Sequence, residues 1–511
     1  MDRTAADSGL RRDQNILLFS VFAIATCGLV YELVAGTLAS YLMGDSVTQF
    51  STIIGTYLFS MGVGSWLSRY IEDHLLRWFI LIEVLVGVVG GCSAPLLFLL
   101  FEHIASFRII LYSLVGITGI LVGLEIPILM RILKANLAFK ELVARVFTFD
   151  YIGALIASLI FPLVLVPYLG LIRASLLFGI INVSIAGLLL YRFDEAKPFR
   201  RSFSVTIVAS VMLLLVAFVY ADRIMTFSET LAFQDRVIFA KNTPYQRIVL
   251  TRNNRELRLF LNGNLQFSSA DEYRYHEALV HPALHSLPHA QKVLILGGGD
   301  GLAAREILKY PNIDSITLVD LDPAMTRFFS SNTMLRRLNH DALLSPKLHV
   351  VNSDAFNWVK NSHDSFDLVV IDFPDPANYS IGKLYSSAFY EELHHILRER
   401  GIIVVQSTSP YVARKSYWCI AHTLQASGFI TVPYHAYVPS FGEWGYIMAM
   451  EQYTWRTDNP LPTGLRYISN ATIKDMLYFP PDMSELPTGI NKLNNQALVN
   501  YFEDEWAPYI H

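Results

Sequence analysis

Apolar stretches of about twenty residues, the length a bilayer's hydrocarbon core requires, follow one another through residues 1–222. No other feature limits so strongly what this chain can fold into. They run Ile16–Leu38, Phe50–Leu67, Trp78–Leu100, Ile109–Ile132, Phe149–Leu169, Leu176–Tyr191 and Val205–Tyr220, about seven in all. A soluble domain of ordinary size has no room to hide such runs back to back. Their glycines and other small residues suit close helix packing in lipid. Residues 1–222 are therefore expected to form an all-α transmembrane bundle, multi-pass in a cell membrane, with the lipid bilayer as partner. The first run follows Arg3, Arg11 and Arg12. It is too long for a signal-peptide core and shows no cleavage site, so it reads as a retained span.

Four acids fall inside these stretches: Glu32, Glu83, Glu125 and Asp150. A charge at mid-bilayer costs about 3 kcal/mol even on lenient insertion scales. One reading is a polar path or pocket that attracts a cationic amine. The other is a set of carboxyls that are protonated, or paired within the bundle, and serve packing. Gly123 and Pro127 flank Glu125 and are able to break its helix, which leans towards a site.

Beyond Tyr220 the composition changes. Residues 221–240 read as a mixed connector with an interfacial helix around Ile224–Phe233. Two alternating stretches then pair as strands about the Asn262–Gly263 turn, and Asp271–Leu284 reads as a helix. From Val293 onward strands and helices alternate as in a doubly wound α/β sheet. The expected division is 1–222 for the bundle, 223–290 for connector and hairpin, 291–455 for a Rossmann-like domain, and 456–511 for a tail packed on it.

The first strand of that domain, V-L-I-L, runs into Gly297, Gly298, Gly299, Asp300 and Gly301 just before a helix. Such a junction leaves backbone N–H groups and a helix N-terminus open to a ligand. Asp320 and Asp322 end the next strand about twenty residues on, the spacing at which a carboxylate meets ribose hydroxyls. Asp354 follows the third strand, Leu348–Val351. The fourth ends at Asp372, and D-F-P-D-P continues to Asp375. Carboxylates delivered repeatedly to one edge of a parallel sheet describe a cleft for something cationic.

With G-G-G-D-G, the acidic strand end, D-A-F and the D-x-x-D-P loop in order, and L-F-L-N-G-N-L-Q-F through Y-R-Y-H-E upstream, roughly Tyr245–Met450 resembles the spermidine synthase (polyamine aminopropyltransferase) family. The resemblance implies a transferase that moves an aminopropyl group from decarboxylated S-adenosylmethionine to a diamine such as putrescine, without a metal. It implies that Asp372 accepts the proton or orients the attacking amine, and that Asp375 holds the amine cation. Asp300 would face the amine of the aminopropyl group, Asp320 the ribose, Asp354 the adenine amino group, and Gln246 the nucleoside. Tyr275 and His276 match a pair lining the cleft, and Tyr385 flanks it. For His276, Tyr385 and Gln246 a purely structural role competes on equal terms. The family's usual dimers imply a homodimer.

Three departures from the family's pattern limit what the resemblance implies. Asp320 stands where the family usually has Glu; D-F-P-D-P replaces D-S-S-D-P; and Y-V-P-S-F-G-E-W-G-Y offers no counterpart to a pocket tyrosine. An S-adenosylmethionine-using methyltransferase or lyase on the same fold, and a polyamine transporter or sensor, remain as alternatives.

Charge and cysteines narrow the rest. A net charge of −4 with no basic stripe argues against nucleic acid. Cys27, Cys92 and Cys419 make no metal-ligand spacing or disulfide framework. Arginines and lysines gather at the N-terminus and in alternate loops (Arg69 and Arg77; Arg131 to Arg145; Arg192 to Arg201), placing the N-terminus in the cytoplasm. An odd number of spans then puts the C-terminal domain outside, against the cytosolic supply of an S-adenosyl substrate. The supply argument favours a cytoplasmic domain and a miscounted span in, most simply, a bacterial inner membrane.

Overall fold

The computed structural model describes residues 2–43, 46–101, 107–134, 138–224, 235–254, 256–453, 455–456 and 460–509. The chain divides into two compact units, Met1–Val237 and Ile238–His511.

In the first unit the described residues form seven long helices: α1 (Asp2–Met43), α2 (Ser46–Leu67), α3 (Leu75–Leu100), α4 (Phe107–Leu133), α5 (Phe139–Ile160), α6 (Gly170–Arg192) and α7 (Arg200–Val219). Glycines set how closely they approach. A Cβ on Gly123 of α4 would stand 2.2 Å from the Met61 carbonyl oxygen of α2, and one on Gly179 of α6 would stand 2.5 Å from that of Gly87 on α3. Only a missing side chain allows backbones so near each other. Helix α5 runs on through a π-helical turn, Phe161–Leu169, into α6. Pro162 and Pro167 lie in that turn and lack the N–H that a regular ladder needs.

Five helical stretches are long and apolar enough to cross a membrane: Asp13–Ser40, Leu75–Leu100, Phe107–Leu133, Phe139–Arg192 and Asp194–Val219. The seven expected runs fall on the seven helices, which these criteria group into five stretches. Phe149–Leu169 and Leu176–Tyr191 belong to one 54-residue stretch, joined through the π-helical turn. Helix α2 is diluted by serine, threonine and glycine and is not among the five.

The connector helix expected around Ile224–Phe233 lies, after Ile224, outside the described residues. The second unit opens with a four-stranded sheet ordered β1 (Arg236–Asn242), β2 (Arg247–Asn253), β3 (Glu256–Leu261), β4 (Asn264–Ser268). The β3–β4 turn is at Asn262–Gly263, both with positive φ (51° and 84°), as N-G hairpins require. Strand β1 was not expected from the sequence. Helix α8 (Glu272–Leu284) follows.

The larger sheet has seven strands in the order β10-β11-β9-β8-β5-β6-β7. These are β5 (Lys292–Gly297), β6 (Ser315–Asp320), β7 (Leu348–Asn352), β8 (Phe366–Asp372), β9 (Leu397–Gln406), β10 (Ile430–Val438) and β11 (Gly442–Met450). Strands β7-β6-β5-β8-β9 run parallel, and the β10–β11 hairpin closes the edge antiparallel. The doubly wound parallel sheet expected from the sequence is thus present, made mixed by the antiparallel hairpin at its edge. Val293, Ile295, Leu368 and Val370 face one apolar core, while Leu294, Leu296, Val369 and Ile371 face the other. Burial on both faces explains why these strands are near-continuous in Val, Ile and Leu.

The chain winds outward from β5 to β7 and returns on the other side at β8, so the order reverses between β5 and β8. In open α/β sheets ligands bind at that reversal, beyond the carboxyl ends of the strands. Gly297 and Asp372 are register partners there. Residues after Met450 fold onto this unit. Glu277 accepts the amides of Arg466, Tyr467 and Ile468, and Glu505 accepts those of Lys415 and Ser416 at the start of helix Arg414–Ala426.

Candidate active site

The glycine run has a steric reason at each turn. Gly297 and Gly298 take φ +85° and +64°, and a Cβ on Gly297 would stand 2.2 Å from the Asp372 carbonyl oxygen. A Cβ on Gly299 would stand 2.5 Å from Asp320 Oδ2. The backbone is thereby drawn against the ends of both neighbouring strands. Gly299 N–H donates to Asp320 Oδ2 at 3.0 Å, and Asp322 N–H to Oδ1 at 2.8 Å. Burial pushes Asp320 up to about 6.

Asp322 ties this edge to the smaller sheet. It caps helix Pro323–Ser331 and accepts from Thr243 Oγ1 at 2.8 Å and Gln246 Nε2 at 3.1 Å. Gln246 is thus held two residues from Asp320. Asp354 caps the helix after β7 by accepting Asn357 N–H at 3.0 Å, and it pairs with Lys383 at 2.9 Å. Partial burial works to raise its pKa, but these donors hold it below the ordinary carboxylate value.

Asp372 ends β8 at the reversal. Tyr275, on α8, donates its hydroxyl to Asp372 Oδ1 at 2.6 Å. Burial raises Asp372, against the nearby His276 and the Tyr275 hydroxyl, which lower it. Asp300, 9% exposed, accepts Leu302 N–H at 2.8 Å. Burial, with the neighbouring Asp372 adding to it against His276, pushes Asp300 up to about 6. Asp375 accepts from Gln406 Nε2 at 3.3 Å and Thr408 Oγ1 at 3.5 Å, and burial pushes it up to about 7. Asp372 and Asp375 both keep part of their surface open although protein surrounds them. Among the described residues, none of these three carboxylates is paired with a lysine or arginine.

His276 turns Nδ1 to the Glu272 carbonyl at 2.8 Å and to Glu272 Oε2 at 3.0 Å. Both partners are acceptors, so Nδ1 carries the hydrogen. Arg305 grips the same carboxylate bidentately at 2.8 Å and 2.8 Å. His276 and Arg305 hold Glu272 at about 2 despite its burial. Burial works to lower His276, but Glu272 outweighs it and the imidazole is raised. The ring thus brings positive charge beside Asp300 and Asp372.

Tyr385 is fully buried, and its hydroxyl meets the Pro374 carbonyl at 3.1 Å. It supports the D-F-P-D-P loop from beneath. Gln406 Nε2 bonds the Phe373 carbonyl at 2.6 Å and the Tyr385 hydroxyl at 3.0 Å, and Trp444 Nε1 donates to Gln406 Oε1 at 3.2 Å. Glu83 and Glu125 are buried in the first unit, whereas Glu32 and Asp150 are partly exposed there.

Sequence reasoning missed two groups. Gln406 and Thr408, at the end of β9, were legible as polar residues terminating an apolar strand. The chain Glu272–Arg305–Glu306–His281, with ion pairs of 2.8–2.9 Å, was not, because charges on short helices read as solvated faces.

Comparison with known proteins shows what the chain is similar to. Residues 272–459 match the family described as "Spermine/spermidine synthase domain". A protein of Leptospira interrogans called polyamine aminopropyltransferase is 52% identical, over 96% of this chain and 99% of its own length. One of Ralstonia nicotianae called polyamine aminopropyltransferase 1 is 50% identical, over 98% of this chain and 97% of its own. A solved spermidine synthase in complex with the transition state analogue AdoDATO is 23% identical at a TM-score of 0.45, covering 53% of this chain and 89% of that one.

Proposed function

We propose, from the premise that this chain belongs to the spermidine synthase (polyamine aminopropyltransferase) family, that its cleft joins decarboxylated S-adenosylmethionine to putrescine. Aminopropyl transfer is its activity. The amine nitrogen forms a bond to the carbon beside the sulfonium as the carbon–sulfur bond breaks. The electron pair leaves with sulfur as methylthioadenosine, and a proton is released from nitrogen. Amines are protonated near neutrality, so the site must hold a cation, remove its proton and align it.

Each residue then has a task. Asp372 accepts the proton, its free oxygen exposed to the cleft and the other fixed by Tyr275. Asp375 holds the far ammonium of the diamine, while Asp300, with His276 beside it, receives the ammonium of the aminopropyl group. Asp320 takes the ribose hydroxyls, with Gln246 and Asp322 bracing it. Asp354 meets the adenine amino group, and Gly297 to Gly301 admit the nucleoside where any Cβ would collide. The observation that carries this reading is the trio Asp300, Asp372 and Asp375 by the sheet's reversal, with no lysine or arginine paired to any of them among the described residues. S-adenosylmethionine is disfavoured as donor, because its carboxylate would enter the same negative field.

The first unit is read as a membrane bundle. Leu58, Phe59, Ile109, Leu155, Leu163, Val205, Val208 and Val219 stand exposed on its helices, a continuous demand for an apolar surround. The catalytic unit is assigned to the cytoplasmic side, where its donor is made. The decisive experiment supplies purified full-length protein with decarboxylated S-adenosylmethionine and putrescine. Methylthioadenosine and spermidine should appear in equal amounts. Product with S-adenosylmethionine instead, or none in either case, overturns the reading.

A further inference from the structure

The centre of the helical unit holds polar atoms that make no hydrogen bond among the described residues. Both carboxylate oxygens of Glu83 on α3 and of Glu125 on α4 are so placed, in side chains 0% and 1% exposed. So are the Tyr31 hydroxyl on α1 and the Asn182 side-chain oxygen on α6, in residues 2% and 1% exposed.

These four side chains come from four helices and gather around one stretch of α3. The Tyr31 ring lies 2.8 Å from where a Cβ on Gly90 would stand, and the Asn182 Cβ lies 3.2 Å from that position on Gly87. Gly87 is one turn beyond Glu83 on α3, and Gly90 about two. Glu83 and Glu125 are near enough to repel each other when charged. Next to Tyr31, Tyr57, Ser93 and Thr118 help line a cavity of ≈ 10 Å³, the space about one water fills.

Two buried carboxylates close enough to repel each other, neither hydrogen-bonded nor paired with a cation among the described residues, are not sustained as a pair of bare charges. Something positive has to bind. An alkylammonium of putrescine size needs several times the room this cavity offers. A proton needs none. We propose that Glu83 and Glu125 form an exchangeable proton-binding site inside the helical unit. The proton arrives from hydronium or a buffer acid and adds to a carboxylate oxygen, and no redox partner is involved. The proposal rests on reading residues 1–222 as a membrane unit.

The test is infrared difference spectroscopy of the full-length protein in lipid nanodiscs, between about pH 5 and 9. A protonated-carboxyl C=O band should grow as pH falls and shift in D2O. Glu83→Gln or Glu125→Gln should displace it, and the double variant should abolish it. Methylthioadenosine release, which these variants leave unchanged, reports folding. Should Glu125→Gln fail to fold, the D2O shift of the unaltered protein and Glu83→Gln still decide. The proposal is overturned by a band that ignores D2O, by no band at all, or by one surviving both substitutions. Loss of the band on adding putrescine would also overturn it, giving the site to an amine. Alkaline extraction of membranes tests the membrane reading separately: protein released to the soluble fraction with its band intact would defeat that reading alone.

Discussion

Tyr275 donates its hydroxyl to Asp372 at 2.6 Å, joining α8 to the end of β8 where the sheet reverses. One carboxylate oxygen is thereby fixed, and in the proposed reaction the other serves the substrate. A hydrogen bond to a charged group contributes about 1.5–3 kcal/mol. Tyr275→Phe should therefore lower kcat by roughly 10- to 100-fold. The lost donor also lets the Asp372 pKa rise further. Because the base must be ionised, the rising limb of the pH–rate profile should move to higher pH. Asp372→Asn should cost about 10²- to 10⁴-fold. Steady-state kinetics across pH checks both, and an unmoved limb in Tyr275→Phe would remove the tyrosine from the mechanism.

Asp375 offers a stability readout. Burial raises it to about 7 in the folded chain, from about 3.9 when unfolded. The folded state thus binds more protons between these values, so stability is full below about pH 4 and declines as pH rises through about 7. Asp375→Asn removes that slope and should stabilise the ligand-free protein near pH 8 by on the order of 1 kcal/mol, after discounting for the group's partial exposure. Its KM for putrescine should rise at the same time. Thermal melting with and without putrescine measures this; a variant less stable than the parent at pH 8 contradicts it.

Glu272 and Arg305 make a buried bidentate pair, and breaking one side leaves an uncompensated charge. Glu272→Gln should destabilise the catalytic unit by about 3–5 kcal/mol. Replacing both residues with methionine should cost less than either single change. Activity should not follow stability back: His276 keeps the Glu272 carbonyl as partner for its Nδ1 hydrogen, but it loses the carboxylate that raises its pKa. Urea unfolding set beside turnover separates the two effects. Recovery of both together would reduce the pair to packing.

How much of this was legible follows from what each signal depends on. The strand-to-glycine junction at Val293–Gly301 and the acids at Asp320, Asp354 and Asp372 depend on local chain order, so the parallel strands fell where expected. Sheet order is non-local, and only the structure makes Gly297 a register partner of Asp372. Tyr385 looked like a cleft residue because it follows the acidic loop; its burial depends on Gln406 and Asn491, from β9 and the tail. The seven apolar runs were legible because run length is local, and helices α1–α7 carry them. Pro162 and Pro167 lie inside the expected Phe149–Leu169 run, and only the structure shows the π-helical turn that carries the chain through them. Glu277 was unreadable as the anchor of the tail, because its partners are the backbone amides of residues 466–468.

In the proposed reaction Asp300 sets the choice of donor. Its carboxyl is buried, repelled by Asp372 and pushed up to about 6 in the ligand-free protein. An arriving ammonium relieves that repulsion and ionises the group, whereas the carboxylate of S-adenosylmethionine adds to it. Below about pH 6 the free site is increasingly protonated, so the KM for decarboxylated S-adenosylmethionine should climb as pH falls. Asp300→Asn should raise that KM by about tenfold or more at neutral pH, since a charge-assisted hydrogen bond is lost, and should flatten its pH dependence. The same change should tighten inhibition by S-adenosylmethionine, because one repelling charge is gone. Donor KM and S-adenosylmethionine Ki, measured on parent and variant, give a ratio of preferences. If that ratio holds while both affinities fall together, Asp300 only shapes the glycine loop through its bond to Leu302, and donor selection belongs to another residue.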